Sequence, residues 1–592
     1  MQMIISIFYF ILFHLTKVAI GNCGAPSNYN LRYATVEQSK SIHNRQLSFK
    51  LLRLKFILYY TDSFNQLADS EEIKKKIIIP ATKYWENSLR VRLTSLEKFY
   101  VQRYCEDDSY SFYTNGTKFC DKSRCRWTEK CQGVDIPAEY MSDCLQRYNR
   151  HLVTFYGKGK GMLRNNYLLI VDSRTVGSCR SITTNAFAAS CDIDPDTDRP
   201  IVGYVNFCPF RTVMKYPGGR RLYGTARHEI AHALGFSKQH FAFMRYKNGS
   251  ARTVRNPRTK RPFHTDEFGL YIPSDKTIKD ITREWVSAAG IYRKTFPSFV
   301  TESLVKEAKK HFRCPLTDGV DLENEGAPGS RGTHFDGRLF STELMSPSSE
   351  IDSFASRLTF AYFDDSGWYN VNYQRAEPLK YGNNLGCEFS MQSCYAYAKY
   401  KRMSNESILP YCDQPHTIGC RDDYSYGMCA IGRYERPLPL EDQFFDRNSF
   451  AGSDYPYYGG SQNFKDKCPV LGYLSSLGSL NVTSFCTHDE NNQIADSDSN
   501  DYLQSFGKKA ICVKHLGPWT YELGRFIYTL DQSITGTCHK YICTPEKILI
   551  VDFRGSRVKC PVKGGRQSFS FKNKEKIYRG AINCPPANKF CQ

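Results

Sequence analysis

Beyond its first fifteen residues, the 592-residue chain has no apolar run of the about 20 residues that a membrane-spanning helix needs, so no transmembrane segment is expected. The C-terminal stretch Asn583–Gln592 also lacks the hydrophobic tail that directs attachment of a lipid anchor. No short internal repeat is visible, which leaves out an array of stacked units. Hydrophobic residues at 41% and charged residues at 24% are ordinary for a globular chain, which excludes wholesale disorder. The one early apolar run, Met3–Leu15, is too short to span a bilayer and carries no basic side chain before it. Followed by Lys17 and the small residues Ala19 and Gly21, it reads as a signal peptide cleaved near Gly21.

Cysteine, in contrast, is abundant. Twenty-three thiols would be a liability in a reducing cytosol and make sense as disulfides in an oxidising compartment. Acceptor sequons at Asn115, Asn248, Asn405 and Asn481 agree with a secreted, extracellular protein. The net charge of +20 implies attraction to polyanions such as acidic proteins, sulfated glycans of a matrix, or a membrane surface. Nucleic acid is not an expected partner of a secreted chain. Arg252, Arg255, Arg258, Lys260 and Arg261 crowd one proline-containing segment, which reads as a solvated loop.

Along the chain, residues 22–51 are weakly patterned and read as an N-terminal arm or a short pro-segment. Leu52, Leu54, Phe56 and Leu58 alternate as one side of a strand, and Glu71–Leu93 reads as a helix started or interrupted at Pro80. Five cysteines within 105–144 mark a stapled loop region. Tyr167–Val171, Ala186–Cys191 and Ile201–Phe207 are strand candidates, followed by a helix over Gly224–Phe236 and a second over Ser303–Phe312. After about residue 350, cysteine, glycine and tyrosine dominate, and a loop-rich disulfide domain is expected. Nine cysteines in 105–314 and thirteen in 387–591 are both odd numbers, so with Cys23 apart at least one disulfide must join the halves. Cys314 is the expected partner from the first half.

The chemistry centres on Thr225-Ala-Arg-His-Glu-Ile-Ala-His-Ala-Leu-Gly-Phe236. Helical positions four apart are offset by only about 40° and lie about 6 Å apart along the axis, so His228 and His232 share a face. Two imidazoles so placed suit one Zn²⁺, and Glu229 beside them suits a base that deprotonates a zinc-activated water. Zinc needs a third protein ligand. In the compact endopeptidase pattern that ligand follows the glycine by three residues, but here the position is Lys238. His240 comes two residues too late for it. His240, His264, His311 and His334 all remain as later candidates, and Glu267 or Glu284 would serve a glutamate-ligated variant.

These residues, with His311–Gly326 and the stretch Gly332-Thr-His-Phe-Asp-Gly-Arg-Leu-Phe-Ser-Thr-Glu-Leu-Met345, resemble the leishmanolysin and invadolysin branch of the metzincin zinc peptidases. Ala81–Glu86, Arg199–Gly203, Asn206–Pro209 and Gly580–Pro585 are further landmarks of the same likeness, which covers most of 52–591. The resemblance implies an α+β fold: a metzincin-like catalytic domain, with a twisted mixed sheet plus an active-site helix, then a long insertion before the third ligand. The disulfide-rich C-terminal domain follows. It implies His334 as third ligand, Met345 as the methionine turn beneath one catalytic zinc, and Ala186, Phe187, Ala188 and Ala189 on an edge strand that pairs with extended protein or peptide substrates. The divisions expected are 1–21, 22–51, 52–240 with the helix, 241–350 with the third ligand, and 351–592. Two departures stand out: Phe335 replaces the family's usual tryptophan, and Cys23 lacks the setting of an inhibitory pro-segment thiol. The function expected is a secreted zinc metalloendopeptidase of extracellular proteins, with an adhesion protein on the same fold as the competing reading.

Overall fold

The computed structural model describes residues 22–24, 31–36 and 50–591, excepting 94–97, 109, 113–116, 150, 182, 327–330, 348–350, 463, 475–481 and 497–499. The expected signal segment, most of the N-terminal arm, and the sequons at Asn115 and Asn481 therefore lie outside the described residues. Asn248 and Asn405 are exposed.

Five strands organise the first half. They are β1 (Asn22–Gly24), β2 (Lys55–Tyr60), β3 (Asn166–Asp172), β4 (Thr184–Ile193) and β5 (Pro200–Phe207). Continuous apolar runs such as Tyr167–Val171 suit a strand covered on both faces, and β3 lies between β2 and β5, parallel to both. β4 returns antiparallel to β5, while β1 and the short strand Arg32–Tyr33 pair with its other side in parallel.

Two local expectations need correction. The alternation from Leu52 to Leu58 is not one strand: Lys50–Arg53 pairs with Leu89–Leu93, and the chain breaks at buried Leu54 before β2 joins the main sheet. The helical stretch runs from Ser70, through a π-turn at Lys74–Ile78, into α1 (Ile79–Ser88), whose second residue is Pro80. It stops at Ser88 rather than Leu93. Leu89-Arg-Val-Arg-Leu93 has a period of two and pairs as a strand on both sides, with Lys50–Arg53 and Tyr369–Val371.

Helix α2 (Gly218–Ala233) lies on the sheet. Gly203 permits that approach, since a Cβ there would stand 2.1 Å from Tyr167 Oη and 3.1 Å from Ala233 Cβ. The carbonyls at the end of α2, which have no helical partner, are taken by hydroxyls. Ala233 O accepts from Tyr167 Oη and Ser190 Oγ, each at 2.5 Å, Leu234 O from Tyr369 Oη at 3.1 Å, and Gly235 O from Tyr362 Oη at 2.6 Å. Gly235 itself turns the chain at φ +119°.

The following segment contains an unforeseen hairpin, β6 (Ile278–Ser287) with β7 (Gly290–Phe299), then α3 (Glu302–Phe312). Its arginines are not merely solvated. Arg252 is buried and forks onto Glu302 at 2.7 and 3.2 Å, and Arg255 and Arg245 converge on buried Asp198 at 3.1 and 2.8 Å. Helix α4 (Arg357–Asp365) enters the same core, where Tyr362 meets Phe236 at 4.3 Å and Phe299 at 5.5 Å between ring centres.

Among the described residues, eleven disulfides pair the cysteines from Cys105 to Cys591, and Cys314–Cys387 does join the two halves. The C-terminal region is less loop-rich than expected. From residue 510 it forms an antiparallel sheet of β8 (Ala510–His515), β9 (Thr520–Leu523), β10 (Phe526–Thr529), β11 (Gly536–Cys543), β12 (Leu549–Phe553), β13 (Ser556–Lys559), β14 (Gly565–Asn573) and β15 (Lys576–Cys584). Tight turns and short strands hid it, yet β14 alternates exposed Arg566, Ser568, Ser570 and Lys572 with inward Phe569 and Phe571.

Candidate metal centre

One helical turn separates His228 from His232, and both side chains leave α2 on the face turned away from solvent. His334 arrives from 102 residues further along, yet its Nε2 lies 3.1 Å from that of His232, which in turn is 2.9 Å from His228 Nε2. The His334 segment is held in place by a ladder of backbone bonds. Glu323 N donates to His334 O at 2.9 Å, Phe335 N to Met345 O at 3.0 Å, and Asp336 N to Asp321 O at 2.9 Å.

Each outward-facing Nδ1 has an oxygen partner. His228 Nδ1 donates to Leu344 O at 2.5 Å, His232 Nδ1 to Phe236 O, and His334 Nδ1 lies 2.7 Å from Glu323 Oε2 and 3.1 Å from Thr333 Oγ1. Burial drives the imidazoles toward the neutral form, with His228 and His334 pushed down to about 3 and His232 well below its ordinary value. Burial also pushes the Glu323 carboxyl up to about 9. Protons on Nδ1 leave three Nε2 lone pairs facing one another, an arrangement that only an electron-pair acceptor relieves. Two nitrogens bound at 2.0–2.1 Å to a tetrahedral zinc lie about 3.3 Å apart, so the observed spacings fit such an ion closely. The other close group of ligating atoms among the described residues, Cys120, Cys125 and Cys144, is consumed by disulfides with Cys105 and within itself.

Glu229 is fully buried on α2 beside the first histidine. Met345 is buried too, one residue past the carbonyl that accepts from His228. The alternative ligands fall away from the cluster: His240 is buried with its ring 5.9 Å from that of Trp368, His311 Nε2 donates to Tyr381 O at 2.9 Å, and His264, Glu267 and Glu284 are exposed. Phe335 packs against Phe236 at 5.1 Å and Phe340 at 5.5 Å. Ala186–Ala189 lie on β4, but β4 is not the free edge, because Asn22 pairs with Thr184 and Gly24 with Phe187 on its outer side. Glu323 and the Leu344 and Phe236 carbonyls were not foreseen, since partners of a histidine's far nitrogen leave no spacing signal in the sequence.

The sequence profile of leishmanolysin matches residues 160–592, well over half of the chain. The chain belongs to the leishmanolysin family. That family comprises zinc metallopeptidases, so this leishmanolysin relative is a hydrolase of peptide bonds. It is 31% identical over 554 residues to a leishmanolysin-like peptidase of Drosophila melanogaster, covering 91% of this chain and 80% of that one. The leishmanolysin-like peptidase of Caenorhabditis elegans is 30% identical over 92% of this chain and 84% of its own. Leishmanolysin of Leishmania tropica is 27% identical, over 69% of this chain and 52% of that protein.

Proposed function

We propose that the chain is a secreted endopeptidase of extracellular proteins in which His228, His232 and His334 hold a single zinc ion and Glu229 is the general base. The observation that carries this reading is the convergence of three neutral imidazole Nε2 atoms at 2.9 and 3.1 Å spacing beside a buried glutamate. Zinc bound there supplies Lewis acidity, lowering the pKa of water toward ~7 and polarising a peptide carbonyl. Glu229 takes the proton from the attacking water and passes it to the leaving amine. Leu344 O, Phe236 O and Glu323 fix the tautomer and orientation of the three rings. Met345 closes the floor of the site with a polarizable, apolar side chain.

Substrate selection follows from β4. An extended peptide pairing along Ala186–Ala189 gains affinity through backbone hydrogen bonds and reads few side chains, which suits broad protein substrates. Such pairing requires Asn22–Gly24 to leave the positions they hold opposite Thr184 and Phe187. The expected division at about residues 240 and 350 assigns the helix to one unit and the third ligand to the next.

The test is Glu229→Ala, compared with the wild-type chain in zinc content and in hydrolysis of a mixed peptide library. Zinc is expected to stay while hydrolysis falls by roughly 10²–10⁴-fold. Unchanged hydrolysis would overturn the assignment.

A further inference from the structure

One end of the C-terminal sheet carries an unusual surface. Residues 510–592 hold fourteen Lys and Arg against five Asp and Glu, a net +9 out of the chain's +20. The hairpin β9–β10 turns through Gly524-Arg525, with Leu523 opposite Phe526 and Glu522 opposite Ile527. Phe526 and Ile527 are 69% and 67% exposed, Leu523 and Tyr528 are exposed as well, and β10 is the outermost strand of its sheet. Large apolar side chains on both faces of an edge strand contradict what folded edges ordinarily present. They also flank the turn rather than a groove, and a Cβ on Gly524 would meet nothing within 4 Å, so the tip stands clear of the body.

Strand register places two more turns at this end. Ile577 on β15 pairs with Glu522, and Asn573 pairs with Lys576, which brings Lys574-Glu575 beside the apolar tip. The Asn573 amide donates to the Phe553 and Arg554 carbonyls, each at 3.4 Å, which brings the Arg554-Gly555 turn alongside. Arg554 and Lys576 pair with Asp496 and Asp501. Arg525, Arg557, Lys572 and Lys574 are exposed and make no ion pair among the described residues. Apolar side chains at a projecting tip, with four exposed cations around them that make no ion pair among the described residues, match the interface of a bilayer with anionic headgroups. A sulfated polysaccharide would satisfy the cations but would leave Leu523, Phe526 and Ile527 wet.

We propose that this end of the sheet docks the protein on anionic phospholipid membranes, with Phe526 and Ile527 entering the headgroup boundary and Arg525 and Lys574 meeting phosphate. The surface is built from residues far in sequence from the histidine cluster and stands independently of the zinc chemistry.

The experiment is co-sedimentation of the full chain with phosphatidylcholine vesicles, with and without phosphatidylserine, over a range of salt. Binding is expected only with phosphatidylserine and should weaken as salt rises. Phe526→Ser with Ile527→Ser should lower vesicle partition by about tenfold or more while hydrolysis of a soluble peptide is unchanged. Should that pair fail to fold, Arg525→Glu with Lys574→Glu provides the same decision. Equal binding to both vesicle types, wild-type partition by either double variant, or tight binding to soluble heparin without vesicle binding would each overturn the proposal.

Discussion

Glu343 offers the sharpest test of how the site is built, because it touches no histidine. Its carboxylate is fully buried and accepts from four donors: Met345 N at 2.5 Å, Ser356 N at 3.1 Å, Ser356 Oγ at 2.9 Å and Thr359 Oγ1 at 2.6 Å. Between Glu343 and the bond from Met345 lies Leu344, whose carbonyl accepts from His228 Nδ1. The carboxylate therefore clamps the turn that orients the first histidine. In Glu343→Ala the two hydroxyls can rotate to other acceptors, but two backbone N–H groups are stranded. At about 1–3 kcal/mol each, the loss is about 4 kcal/mol. Glu343→Gln can keep its carbonyl toward Ser356 and Thr359, which turns its amide into the Met345 N–H. One donor facing another costs about 2 kcal/mol.

Relief of that clash shifts the Leu344 carbonyl, so zinc affinity should fall by about 10–100-fold, the usual effect of losing a partner behind a metal ligand. Competition against a chromophoric chelator measures the affinity, and thermal unfolding in excess chelator measures the fold separately from the metal. Glu343→Gln with wild-type affinity and an unchanged unfolding temperature would refute the clamp.

Removing the Cys314–Cys387 bridge by alanine at both positions releases a loop of 73 residues, which should cost about 4 kcal/mol and lower the urea midpoint. An unchanged midpoint would show that α3 and the later chain hold together without it. At Asp466, burial opposes the charge, but Lys294 at 2.8 Å and Arg338 at 2.9 Å outweigh it and hold the carboxyl below its ordinary range. A depressed folded value contributes stability that is complete above about pH 4 and lost as the pH falls further. Asp466→Asn should therefore be less stable at neutral pH and show a flatter acid limb in urea midpoints. An acid limb as steep as the wild type's would contradict this.

How much of this was legible in the sequence depends on the range of each interaction. His228 and His232 are four residues apart, so their shared face follows from helix geometry alone. The long apolar strands β3, β4 and β5 were equally local signals. His334 was different: its approach requires the β6–β7 hairpin, α3 and the ladder from Asp321 to Met345, and none of these leaves a periodicity that names a ligand. Only resemblance singled it out. Arg252 and Arg255 looked solvated because Glu302 and Asp198, their acidic partners, lie 50 and 57 residues away in sequence. Leu54 broke a clean alternation because the neighbouring strands, Leu89–Leu93 and β3, belong to different sheets.

Histidine segments so far apart hold a common geometry through packing that the motif does not mention. The Phe236 carbonyl accepts a hydrogen bond from His232 Nδ1, and the ring of the same residue meets Phe335, the residue after His334, at 5.1 Å. Tyr362 then packs at a tilt on Phe236, 4.3 Å between ring centres, while its hydroxyl donates to Gly235 O at 2.6 Å. Displacing either histidine segment must therefore also move an aromatic ring wedged between α2 and α4. A well-packed interior resists that motion because each ring already fills its space. In this arrangement phenylalanine at 335 needs only ring faces and edges, with no indole N–H to satisfy, so packing alone couples the two histidine segments.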